Sequence, residues 1–168
     1  MAFWFGHGYA YADAYLSRPE LITLMLGFVT GSALLYEAAG SAFAWRSLRQ
    51  ASNVLWVAIP VALLAQFDAA THPFASLAWL AWPATYAIAY WSLHRQERDR
   101  MAAAAPLKHA GGLWLAVAIA ALECSWWIGE WQFGSAWQTS IWGFCAAAGL
   151  ACTVLWSDRG KWPVARRR

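Results

Sequence analysis

Phe74–Leu93, FASLAWLAWPATYAIAYWSL, has no charged residue in 20 positions, and His94–Arg100, HRQERDR, follows with five in seven. Crossing a hydrocarbon layer of roughly 30 Å as a helix takes about 20 apolar residues, and polar groups must return where the layer ends. The stretch predicts a membrane span, and its charged end marks the cytoplasmic face.

The rest of the chain repeats this pattern. Of 168 residues, 61% are hydrophobic and 12% charged, whereas a soluble domain carries about 25% charged residues. A soluble chain of this size needs a polar surface, so the composition excludes an ordinary soluble domain. Fourteen Trp point the same way, because amphipathic rings collect at membrane–water interfaces.

Taken in order, residues 1–20 form an aromatic segment with no basic start and no sustained apolar run, unlike a cleavable signal peptide. Ser17 as cap and Pro19 in the first turn open a helix. Spans are expected at 21–44, 51–68, 74–93, 110–129 and 137–156. Pro60 and Pro83 sit mid-span, where a membrane helix tolerates a kink, and the two helices should bend together as a hairpin. A basic tail, 158–168, follows the membrane domain, 21–157. The fold expected is all-α, a polytopic transmembrane helical bundle of about five spans.

Lys and Arg counts orient it. Segments 46–49, 94–108 and 159–168 hold two, four and five, while Arg18 stands alone on the other side. The amino terminus is therefore expected outside and the carboxyl terminus in the cytoplasm. Trp45, Trp91, Trp114 and Trp156 would ring the inner interface. Trp79, Trp126, Trp127, Trp131 and Trp137 would ring the outer one.

From Leu77 onward, the strings LAWLAWPATYAIAYWSLHRQE, LKHAGGLWLAVAIAALECSWWIGEW, GSAWQTSIWGF and KWPVARR resemble the bacterial predicted membrane proteins classed as domain of unknown function 2339. The resemblance covers roughly residues 45–168. It implies a bacterial inner membrane and a longer polytopic protein of which this chain looks like an excerpt. Ala89 stands where the family is expected to have a His, so any role of that His is absent here. The resemblance implies no activity.

Two carboxyl groups lie within spans, Glu37 and Glu123. Ionisable groups there are costly and face protein or water, so each is a candidate, either as a station on a proton or cation path or as a neutral hydrogen-bonding helix glue. No intramembrane cation is expected to partner them. At 100° per residue, Thr23, Thr30, Glu37 and Ser41 form one stripe, with Gly27 and Gly31 beside it. Gly27-x-x-x-Gly31 is a small-xxx-small pattern suited to close helix approach, and this face is expected to point into protein.

The remaining chemistry is thin. His7, His72, His94 and His109 divide between the two sides, and zinc needs three or four ligands, so neither metal nor cofactor is expected. Cys124, Cys145 and Cys152 read as small apolar residues. Cys145 and Cys152 share a helix face but lie about 10 Å apart along it, too far to bridge. No nucleophile or phosphate-loop motif appears. The basic segments suit anionic lipid headgroups rather than nucleic acid. The expected function is a structural or envelope-associated membrane protein, partnered by the bilayer and by further transmembrane helices of the same or another chain. The alternatives are a transporter or channel fragment using Glu37 and Glu123, and a membrane enzyme acting on lipid-linked substrate around His72 and Glu130.

Overall fold

The structure, a computed structural model, describes residues 6–7, 15–68, 72, 74–102 and 104–157. Most of the aromatic segment 1–20, turn residues 69–71 and 73, the Trp156 side chain and the basic tail lie outside the described residues. The described residues are mostly helical, with no strand among them, and form two compact units, residues 1–103 and 104–168.

The first unit is built on α1, Arg18–Ala42. Its start is as expected: Pro19 lies in the first turn, and the Ser17 amide and hydroxyl both donate to the Glu20 carboxylate. A short helix α2, Arg46–Ala51, runs through a 3₁₀ turn, Ser52–Val54, into α3, Leu55–Asp68. Then comes α4, Ala78–Arg98. All of these pack on α1, which is therefore the centre of the unit. The buried positions of α1 include Leu21, Leu26, Thr30, Ala33, Glu37 and Gly40. Those of α4 include Ala78, Trp82, Thr85, Ala89, Ser92 and Gln96, again one stripe at helical spacing. Between helices in lipid the hydrophobic effect discriminates little, so small side chains and polar contacts decide the packing. Ala33, Ala89, Thr85 and Ser92 supply both.

Two expected boundaries are corrected. Arg46 and Arg49 do not lie in an inner loop; they belong to α2, and only Phe43–Trp45 separates it from α1. The third expected span is shorter than its apolar run, because Phe74–Leu77 form turns and the helix starts at Ala78. From Ala78 to Leu93 an α-helix covers only about 24 Å. Among the described residues, four stretches are long and apolar enough to cross a membrane: Arg18–Ala42, Arg46–Phe67, Ala105–Glu130 and Ser135–Leu155. α4, rich in Trp and Tyr and charged in its last turn, is not among them. Pro60 and Pro83 lie inside continuous helices.

The second unit is a helical hairpin of α5, Ala105–Glu130, and α6, Ser135–Ser157. Pro106 occupies the first turn of α5. The turn between the helices uses Gly134 at φ +89°, a conformation that a side chain resists. Gly149 is buried where a Cβ would stand 2.6 Å from Val117 Cγ2, so its missing side chain sets how closely the two helices approach.

Candidate functional site

The reversal after α1 creates the site. The Trp45 amide donates to the Gly40 carbonyl at 2.8 Å and that of Ala44 to the Ser41 carbonyl at 3.4 Å, with Ala44 left-handed at φ +52°. This is a Schellman ending without glycine. It turns the chain back so that α2 lies on the last turns of α1. Gly40 is required there, because a Cβ on it would meet Arg49 Cγ at 2.6 Å and the Arg49 backbone nitrogen at 2.8 Å.

α4 ends in the same way. Met101 donates to the Gln96 carbonyl at 2.7 Å and Arg100 to that of Glu97 at 3.0 Å, with Arg100 at φ +55°. The two reversals converge on one guanidinium. Glu37 is fully buried, and its Oε1 accepts from Arg49 Nε at 2.9 Å with Arg49 Nη2 at 2.8 Å. On its other side, Arg49 Nη1 donates to Asp99 Oδ2 at 2.6 Å and lies 3.6 Å from Met101 Sδ.

Gln96, also fully buried, completes the cluster. Its Nε2 donates to Glu37 Oε2 at 3.2 Å, to the Arg49 carbonyl at 3.0 Å and to Ser52 Oγ at 3.0 Å. Ser52 donates to the Arg49 carbonyl at 2.7 Å and Ser92 to Ser52 at 3.1 Å. Turning the Gln96 amide over would set its oxygen against two acceptors, so the network determines its orientation. At the rim, Arg95 donates to Ser41 Oγ at 2.6 Å, lies over the Trp91 ring and approaches Glu37 to 4.0 Å. Two carboxylates thus face two guanidinium groups, and the charges balance.

Two further polar rungs cross the unit. Thr85 donates to the Ala81 carbonyl at 2.7 Å, which leaves Thr30 to donate to Thr85 at 2.7 Å. Trp82 Nε1 donates to Gln66 Oε1 at 3.0 Å.

The sequence-derived candidates separate accordingly. Glu37, Thr30 and Ser41 all face α4 and enter polar contacts. The expectation that Glu37 lacks a cationic partner is corrected by Arg49, which apolar-run counting had placed in a loop. Gly27 and Gly31 are exposed, and nothing comes within 4 Å of where their Cβ atoms would stand. Glu123 belongs to the second unit, where it is half-buried and accepts from Trp127 Nε1 one turn on at 2.8 Å. Arg49, Gln96, Ser52 and Asp99 escaped the sequence reading. The available signal was a strongly polar residue, Gln96, in register with the buried stripe of α4.

Asp99 lies outside the spans, and its pH behaviour follows from its contacts. The hydrogen bond from Arg49, with the charges of Arg49, Arg98 and Arg95, holds its carboxyl below the usual carboxylate range. A carboxyl group whose folded pKa is depressed contributes stability that is present above its unfolded value, about 3.9, and lost as pH falls through the folded one. Thermal unfolding in micelles should therefore weaken below about pH 4, and Asp99→Asn should flatten that limb. An unchanged limb in Asp99→Asn would show that another group causes it.

No curated protein and no solved structure matches this chain. A family described as "Predicted membrane protein (DUF2339)" matches residues 1–168, which includes the first span that the resemblance had not reached. With helices apolar enough to cross a membrane and a match along its whole length, the chain belongs to the DUF2339 family of predicted membrane proteins.

Proposed function

We propose that this protein is a non-catalytic, structural component of a larger polytopic assembly in the bacterial inner membrane. The observation that carries this reading is the saturation of Glu37. Its oxygens are occupied by Arg49 and Gln96 at full burial, which suits a joint between helices and not a group that must exchange protons or ions. Glu123, the other expected station, belongs to a separate compact unit and bonds within its own helix.

In this reading α4 completes five spans, carried by its packing on α1 despite its modest hydropathy. Further transmembrane helices of the same or another chain cover what remains of the apolar surface. Arg46, Arg98 and Arg100, all exposed, meet anionic headgroups at the inner face, at about 1 kcal/mol per basic residue. The amino terminus is outside and the carboxyl terminus cytoplasmic.

Proteoliposomes carrying the chain should hold imposed proton, sodium and potassium gradients as long as empty vesicles do. A leak abolished by Glu37→Gln or Glu123→Gln would establish the transporter alternative instead. Orientation is tested separately, with single cysteines at Ser135 and Arg98 in a chain lacking the native ones. Labelling at 135 from outside, and at 98 only after permeabilisation, is expected; the opposite pattern would reverse the topology.

A further inference from the structure

The three cysteines all lie in the hairpin, Cys124 on α5 and Cys145 and Cys152 on α6. Two close approaches set its antiparallel register, Gly149 against Val117 and Gly129 against Gln138. Cys124 and Cys145 fall between these contacts, displaced from direct opposition by about 3–4 Å along the axes. Gly149, one turn from Cys145, keeps the helices close at this level. Both cysteines are half-buried, whereas Cys152 is exposed. Among the described residues no three His, Cys, Asp or Glu side chains are grouped to hold a metal ion, so this pair does not fit a zinc site.

We propose that Cys124 and Cys145 form a redox-active dithiol that a lipid-soluble quinone oxidises to an interhelical disulfide. The two S–H bonds break and one S–S bond forms. Two electrons and two protons pass to the quinone, which leaves as the hydroquinone. A disulfide needs Cα atoms about 4.4–6.8 Å apart, a separation that a small-residue helix contact permits. The oxidant must be lipid-soluble because both thiols lie well inside apolar helices long enough to cross the membrane. This inference is independent of the structural role proposed above, since it concerns only the second unit.

The test uses the full chain with Cys152→Ser, reduced in detergent micelles and then exposed to duroquinone, whose fully substituted ring cannot add a thiol. Both remaining thiols should disappear from maleimide titration after denaturation and return with dithiothreitol. Cutting at a protease site placed in the 131–134 turn should leave the two halves joined on a non-reducing gel and separate on a reducing one. The Cys124→Ser, Cys152→Ser chain should keep its single thiol. Two intact thiols after duroquinone would overturn the proposal. So would loss of the single thiol at the same rate, or disulfides that join separate chains.

Discussion

Arg49→Met should destabilise the first unit by about 3–5 kcal/mol, the cost of leaving one member of a buried ion pair without the other. Glu37 would keep only the Gln96 amide and a distant Arg95, which stands 4.0 Å away. Asp99 would suffer less, because its side chain remains 44% exposed and water can take the place of the guanidinium. Domains are typically stable by only about 5–15 kcal/mol, so this one change should remove much of the margin.

The double variant Glu37→Met, Arg49→Met separates the pair from its burial. Replacing a buried ion pair by apolar side chains of similar volume is often neutral or stabilising, so the double variant should unfold later than Arg49→Met alone. The measurement is unfolding in micelles followed by tryptophan fluorescence, run as a double-mutant cycle. An Arg49→Met chain within about 0.5 kcal/mol of the parent, the range of an ordinary surface substitution, would mean that the pair does not form.

Gly40→Ala should also be damaging, at about 1–3 kcal/mol for forcing atoms into a filled space. The new methyl would meet the backbone nitrogen of Arg49 as well as its Cγ, and backbone cannot turn aside as a flexible side chain can. The short helix α2 would have to lift away, taking Arg49 from Glu37. The effect should therefore be less than additive with Arg49→Met, because both break the same contact. Gly27→Ala and Gly31→Ala are the controls. Both positions are open, and alanine gains up to about 1 kcal/mol in helix propensity over glycine. Either should leave stability equal or higher in micelles. A loss at either position in native membranes, absent in micelles, would locate another helix on the small-xxx-small face.

The contrast between Gly40 and Gly27–Gly31 shows how far the residues could be read. Helical periodicity puts Thr30, Glu37 and Ser41 on one face, because 100° per residue is a property of any α-helix, and that face meets α4 through Thr85, Gln96 and Arg95. It picked the less occupied glycines, because spacing cannot say which face meets a neighbour. Arg49 was missed for a related reason. A basic residue after an apolar run normally marks its exit to water, and the usual signal of a reversal, glycine in the left-handed position, was missing. Ala44 and Arg100 hold those positions instead, at a local cost that the contacts around Arg49 offset.

Sequence alone determined that the chain is all-helical and apolar enough for a membrane. Those properties follow from the composition and periodicity of single segments, which a bilayer tests one segment at a time. Tertiary structure alone decided which helix is central to the first unit, that α1 and α4 end in reversals meeting at Arg49, and that Gly149 lets α5 and α6 approach closely at Val117. Each of these depends on the register between helices far apart in the chain. That register is set by whichever side chains fit together in three dimensions, and no single segment encodes it.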